Sequence, residues 1–267
     1  MKKGLSKAVW GLIIASIILG IVICFFVIRV SDRNYIDKRI SEQNYDRFPE
    51  SAEKVRESLV EIWLLHADVG DLFRGTGFFV DKDGYILTAR HVFTQDIVIP
   101  VGMSYSDFIS SFAQVRYKNQ NLTVEAIENE NLTRKDVQLL KLKENNPAVK
   151  FNVVEIANYS DVTNIGVEVG FLGFTTTESS VPLIFVSKGI LSCVDTRIMV
   201  DNQTDAFYSI HSVATGGYSG GPVFFAENGK VIGLIKSGKP DPEGKSGIVY
   251  IPYIHDVPGI IDQLKNQ

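Results

Sequence analysis

Six consecutive residues constrain this 267-residue chain more than any others: Gly217-Tyr218-Ser219-Gly220-Gly221-Pro222. Glycine loses the most backbone freedom on ordering and proline lacks an N–H, so such a run suits neither a helix interior nor the middle of a sheet. It must be a tight turn. A serine in that turn has little but backbone around it. Fixed N–H groups near 3 Å stabilise the negative oxygen that develops when a serine attacks a carbonyl. Gly217 and Ser219 are the expected donors of such an oxyanion hole. An incidental serine in a hairpin turn would read the same way, so the assignment depends on partners elsewhere.

A serine hydroxyl is a weak nucleophile at neutral pH. It needs a base within hydrogen-bond reach, and the base needs a third group to orient it. Of the four histidines, His91 alone stands in a motif, Thr88-Ala89-Arg90-His91-Val92. Asp136 opens Asp136-Val137-Gln138-Leu139-Leu140, giving the order His, Asp, Ser with gaps of 45 and 83 residues. That is one of the few chain orders known for a catalytic triad. His91 is then the base, Asp136 the orienting carboxylate and Ser219 the nucleophile. A surface aspartate starting a strand is the plain alternative for Asp136, and His66, His211 and His255 read as structural.

Around these residues the chain is punctuated into short apolar runs, an all-β pattern. Strands are expected at 59–66, 75–80, 85–88, 97–101, 113–117, 122–127 and 137–142, and again at 151–154, 166–172, 183–194, 207–211, 221–225, 230–236 and 247–253. Asp81-Lys82-Asp83-Gly84 joins two runs as a hairpin turn, so Asp81 and Asp83 are turn residues rather than catalytic carboxylates. Short helices are expected to open at residue 51 and to cover 256–264. Two groups of about six strands predict two antiparallel six-stranded β-barrels packed side by side.

With Gly75-Thr76-Gly77-Phe78-Phe79-Val80, the run from Asp83 to His91, Asp136-Val137-Gln138-Leu139-Leu140 and the serine turn in this order, residues 51–262 resemble the trypsin-like serine proteases. Within them the chain is most similar to the bacterial HtrA (Deg) branch. The resemblance implies a chymotrypsin-like fold, with His91 and Asp136 on the first barrel, Ser219 on the second and the active site in the cleft between them. It further implies a pocket for the residue on the acyl side of the cleaved bond, walled by Val213, Ala214, Thr215 and Gly216, by Ser237 and Gly238, and by the strand around Ile248. No carboxylate stands there to pair with Arg or Lys, whose unpaired burial would cost several kcal/mol. An uncharged aliphatic side chain is expected instead.

Two residues depart from the family. Tyr218 replaces the usual Asp or Asn before the serine and cannot pair with a newly cut N-terminus, so activation by such cleavage is not expected. Lys236 falls at or beside a position where a small hydroxyl residue often supports the catalytic aspartate, a role left to Ser237. The chain ends soon after the protease domain, and no PDZ domain is expected.

Residues 8–28 carry no charge, and as a helix these 21 residues would be about 31 Å long, the hydrocarbon thickness of a bilayer. A cleaved signal peptide usually has an apolar region of about 7–15 residues and a small-x-small site, which the segment lacks. Residues 1–30 are therefore read as a cytoplasmic tail and transmembrane signal anchor, 31–50 as a polar tether, and 51–267 as the protease domain outside the membrane. A net charge of −4 leaves no basic excess for phosphates, which argues against nucleic acid as a partner. The two cysteines, Cys24 and Cys193, are placed too differently to suggest a disulfide. The chemistry uses backbone and side chains alone, so neither metal nor cofactor is expected, and no oligomeric state is assigned. The expected function is a membrane-anchored serine endopeptidase, and the resemblance implies unfolded or damaged exported proteins as its substrates. A protease-fold protein that binds peptides or a protein partner without turnover is the main alternative, and hydrolysis of a non-peptide ester is a third.

Overall fold

The computed structural model describes residues 46–65, 70–143, 150–162, 164–176, 181–200, 203–212, 217–240 and 247–266. Helix α1 (Phe48–Arg56) comes first, with a proline in its opening turn, where the missing N–H has no intrahelical acceptor to lose. Strands β1 (Leu59–Leu64), β2 (Leu72–Asp81), β3 (Tyr85–Ala89), β4 (Ala113–Tyr117), β5 (Gln120–Ile127) and β6 (Val137–Leu142) follow. They close into an antiparallel barrel in the order β1-β2-β3-β6-β5-β4. In β4, Ala113, Val115 and Tyr117 are buried while Gln114 and Arg116 are half-buried, the period-2 signature of a strand with one face on a core. Ile62, Phe78, Ile86, Val124 and Leu139 are fully buried in that core.

The turn between β2 and β3 forms as the Asp-Gly signal predicts. The Asp83 N–H donates to the Asp81 carboxylate at 2.8 Å and the Gly84 N–H to the Asp81 carbonyl at 3.1 Å, with Gly84 at φ +87°. The C-terminal helix α4 (Val257–Lys265) returns to this turn, where Lys265 meets the Asp81 and Asp83 carboxylates at 2.7 and 2.6 Å.

The second half corrects the expectation of two closed six-stranded barrels. Strands β7 (Glu168–Thr176), β8 (Pro182–Val200), β9 (Gln203–Ser212), β10 (Pro222–Phe225), β11 (Val231–Leu234), β12 (Ser237–Pro240) and β13 (Gly247–Pro252) form one seven-stranded sheet, ordered β11-β10-β7-β8-β9-β13-β12. Among the described residues an isolated bridge joins Gly233 on β11 to Tyr253, just past β13. The expected strand at 230–236 is broken at Ile235, whose carbonyl accepts from the Gly220 N–H at 2.8 Å and whose N–H donates to Gly221 at 2.9 Å. Those groups are spent on the serine turn instead of a ladder, so β11 and β12 lie at opposite edges of the sheet.

Two more expected strands are absent. Residues 97–101 form none: Pro100 cannot donate to a ladder, Val98 and Val101 stand exposed, and no strand pairs with them among the described residues. Helix α2 (Tyr105–Phe112) follows them, capped by Ser104, whose hydroxyl accepts from the Asp107 N–H at 3.0 Å. Residues 151–154 pack without pairing: Phe151 stacks on Phe79 at 4.4 Å and the Val154 N–H donates to the Phe79 carbonyl at 3.1 Å. A five-residue helix, α3 (Glu130–Arg134), precedes β6 and is capped by Asn129. The expected membrane span at 8–28, the tether up to residue 45 and His66 lie outside the described residues. Among the described residues no helix is long and apolar enough to cross a membrane.

His255, just before α4, is half-buried. Its Nδ1 faces the Ala157 carbonyl at 2.6 Å, which can only accept, so that nitrogen carries the proton and Nε2 accepts from the buried Tyr208 hydroxyl. Burial lowers the pKa of His255, outweighing the Ala157 carbonyl and the Asp256 and Asp161 carboxylates that favour the charged form. The neutral form therefore belongs to the folded state. Below the free-histidine value of about 6.5, the unfolded chain takes up a proton that the folded chain refuses, so stability falls as pH drops through the lower folded pKa. The melting midpoint is expected to decline from pH 7.5 to pH 5, and His255→Gln to flatten this slope while lowering the midpoint at pH 7.5. Melting curves of both proteins across that range check it.

Candidate active site

His91 lies on the 3-10 turn Arg90–Phe93 that leaves β3, and Asp136 lies between α3 and β6. The two are 45 residues apart in sequence, yet Asp136 Oδ2 is 2.7 Å from His91 Nδ1 and Oδ1 accepts the His91 backbone N–H at 2.9 Å. One carboxylate thus fixes both the ring and the main chain of one histidine. With Nδ1 donating to Asp136, Nε2 is left as the basic nitrogen. Asp136 adopts φ +66°, a left-handed backbone uncommon outside glycine, which its contacts must hold. Its carbonyl accepts from the Arg90 N–H at 2.9 Å and its own N–H donates to Thr133 at 3.0 Å. Lys236 leaves the carboxylate alone. Its ammonium sits 4.6 Å from the centre of the Phe207 ring, and its backbone N–H donates to Tyr250 at 3.2 Å.

The serine turn is docked on the first barrel through Thr76. The Thr76 N–H donates to the Ser219 carbonyl at 2.9 Å and its hydroxyl to the Gly217 carbonyl, also at 2.9 Å. Gly75 lacks a side chain where Ser219 and Val92 converge: a Cβ there would lie 2.8 Å from the Ser219 carbonyl and 3.0 Å from a Val92 methyl. Ser219 and the residue after His91 therefore meet at one glycine. Gly220, at φ +83°, presses its Cα face against the Thr76 carbonyl and the Thr88 hydroxyl, so any side chain would collide. Within the turn the N–H groups of Gly220 and Gly221 are bonded, to Ile235 and Tyr218. Among the described residues neither the Gly217 nor the Ser219 N–H has an acceptor, which suits donors kept for a substrate oxygen. No hydrogen bond joins His91 to Ser219 among the described residues; such bonds are commonly long in empty sites and shorten when a substrate is bound.

Tyr218 is buried and belongs to the core of the second half. Its ring packs edge-on against Phe171 at 5.5 Å between centroids and fills the place where Gly173 has no side chain. The hydroxyl stands 3.4 Å from Ser187 Oγ. Packing, rather than an ion pair, anchors the residue before the serine.

The expected pocket is only partly described. Val213, Ala214, Thr215 and Gly216 lie outside the described residues. Ser237 and Gly238 are on β12, in register with Tyr250 and Val249 of β13, and the neighbouring Ile248 is exposed. Thr76 and Gly173 were not singled out from sequence. Thr76 was visible only as part of Gly75-Thr76-Gly77, which reads as strand, and nothing local marks Gly173 as the seat of a tyrosine 45 residues away.

A barrel and an open sheet, with a histidine–aspartate pair on one and a glycine-bound serine turn seated on it from the other, define a chymotrypsin-like fold. Residues 75–234 match the trypsin-like peptidase domain, and the chain belongs to that family. It is 30% identical over 216 residues to a probable periplasmic serine endoprotease, DegP-like, of Rickettsia conorii, a match covering 78% of this chain and 37% of that protein. Among solved structures it resembles the HtrA-type protease AlgW with a tripeptide (81% of this chain, 63% of that one) and with a decapeptide (82% and 68%), each at TM-score 0.59 and 14% identity. The chain spans 37% of the length of that DegP-like relative, and its likeness to the two AlgW structures is one of fold.

Because Tyr218 fills a fully formed apolar site, Tyr218→Ala is expected to destabilise the domain by about 3–5 kcal/mol. Tyr218→Phe, which removes only the long contact to Ser187, should cost less than about 1 kcal/mol. Denaturant unfolding of both variants distinguishes anchoring by the ring from anchoring by the hydroxyl.

Proposed function

We propose that the protein is a membrane-anchored serine endopeptidase. The observation that carries this reading is Asp136 bonded to both the ring and the backbone of His91, beside a serine turn whose Gly217 and Ser219 N–H groups have no acceptor among the described residues. His91 Nε2 takes the Ser219 proton as Oγ attacks the scissile carbonyl, and the negative oxygen is held by those two N–H groups. The imidazolium then protonates the leaving amine, and a water activated by the same nitrogen releases the acyl group. Asp136 stabilises the imidazolium and keeps the ring in the useful tautomer.

Polypeptide substrates are supported by the family, and the relatives named as periplasmic and HtrA-type suggest unfolded or damaged exported proteins. The acyl-side preference is proposed to be aliphatic, since Val213, Ala214, Thr215, Gly216, Ser237, Gly238 and Ile248 include no carboxylate. The uncharged residues 8–28 support a single membrane span, and the short N-terminal tail, easy to retain in the cytoplasm, together with the periplasmic relative supports a protease domain on the outer side.

Fluorophosphonate labelling of the full-length protein in detergent is expected for the wild type and absent in Ser219→Ala; equal labelling of both would overturn the nucleophile. Asp136→Asn should depress turnover of a denatured protein by on the order of 10⁴ near neutral pH, and a loss below about tenfold would remove Asp136 from the role. For the membrane arrangement, protease added outside spheroplasts is expected to degrade the domain and leave a small N-terminal fragment. Protection until the membrane is permeabilised would reverse the orientation.

A further inference from the structure

Arg90 precedes the proposed base and has no part in the triad, yet its guanidinium reaches across the loop that carries Asp136. Nη1 donates to Gln138 Oε1 at 3.0 Å and lies 3.4 Å from both Thr133 Oγ1 and the Glu128 carboxylate. Thr133 and Gln138 bracket Asp136, three residues before it and two after. Gln138 is almost fully buried, and its amide nitrogen donates to the Ile127 and Leu139 carbonyls, so its oxygen is turned toward Arg90 by its own bonds. The guanidinium carbon lies 3.6 Å from the centre of the Tyr105 ring on α2, which shields it from water on that face. The Tyr105 hydroxyl is buried without a partner among the described residues, so ring stacking is the interaction this tyrosine supplies. Meanwhile the Arg90 main-chain N–H holds the Asp136 carbonyl.

We infer that Arg90 is a positioning residue that sets the Asp136 carboxylate against His91, with Tyr105 as its platform. This rests on the hydrolytic reading above. The physical need is specific. Asp136 holds a left-handed backbone, uncommon for a non-glycine residue even though aspartate tolerates it better than most. The backbone bonds from Arg90 and to Thr133 pin the loop at one side, and the guanidinium bonds pin its flanks. A loop free to relax would swing Oδ1 and Oδ2 off the His91 N–H and ring together. Such a shift would change how fast the serine is activated and leave the peptide-binding surface as it was.

The test is steady-state cleavage of a fluorophore-labelled denatured protein by the full-length enzyme in detergent, with a melting curve for every variant. Arg90→Met, which keeps the length but not the charge or donors, is expected to lower kcat about 10- to 100-fold, as for a misplacement of about 1 Å, with KM within about twofold. Arg90→Lys keeps the cation over Tyr105 but cannot bracket both Thr133 and Gln138, and should fall between Met and wild type. Because the role is exerted through Asp136, adding Arg90→Met to Asp136→Asn should slow phosphonylation of Ser219 by a fluorophosphonate, with loss of fluoride, no further. A kcat within about twofold of wild type in Arg90→Met, or losses that multiply in the double variant, would overturn the inference. Should Arg90→Met fail to fold, Tyr105→Leu carries the test: a severalfold loss of kcat at constant KM supports the platform, and an unchanged kcat overturns it. A wild type that neither turns over nor labels would instead overturn the hydrolytic reading itself.

Discussion

Thr76 is the joint on which the rest of the arrangement depends. It is fully buried, and all of its polar groups are bonded. Its N–H and hydroxyl donate to Ser219 and Gly217 on the serine turn, its hydroxyl accepts from the Phe174 N–H on β7 at 2.8 Å, and its carbonyl accepts from Thr88 at 2.7 Å. One residue of the barrel therefore ties the turn, the open sheet and the strand leading to His91. The net gain from each bond is about 1 kcal/mol, but a buried donor or acceptor left unpaired costs about 1–3 kcal/mol. The turn cannot drift without leaving several such groups unpaired, which is why its position is well defined although the turn is rich in glycine.

The two halves contribute differently. The closed barrel has no free edges and holds His91 and Asp136 at two neighbouring strand ends, β3 and β6, which are paired in the sheet. The second half gives up closure. At Ile235 the strand stops pairing and hands its carbonyl and N–H to Gly220 and Gly221. Tyr218 then locks the turn from the opposite side by filling the space over Gly173. Backbone bonds from the barrel, backbone bonds from the broken strand and a buried ring thus converge on six residues.

Much of this was legible in the sequence because it rests on local signals. The Asp81–Gly84 turn, the six barrel strands and the C-terminal helix follow from turn chemistry and alternation, and the spacing of His91 and Asp136 anticipated their meeting. What escaped was non-local. An apolar run containing Pro100 looked like a strand, but a strand also needs a partner with free donors, and none adjoins it. The 230–236 run was read as continuous because nothing in it shows that Gly220 and Gly221, 15 and 14 positions earlier, would claim Ile235. Tyr218 read only as a residue unable to pair with a newly cut N-terminus, and the empty space over Gly173 is what explains it. Lys236 read as a lysine where a small hydroxyl residue often supports the catalytic aspartate, whereas its ammonium is taken up by Phe207, a contact no motif encodes.

The account stands on a serine whose attack is served by one histidine and two backbone donors. Its most direct test is a crystal structure of the protein after reaction with a diaryl phosphonate. The account predicts a phosphorus–oxygen bond to Ser219 Oγ, one phosphonyl oxygen within about 3.1 Å of both the Gly217 and Ser219 nitrogens, and His91 still bonded to Asp136. An adduct on another side chain, or a Gly217 N–H turned away from the phosphonyl oxygen, would contradict it.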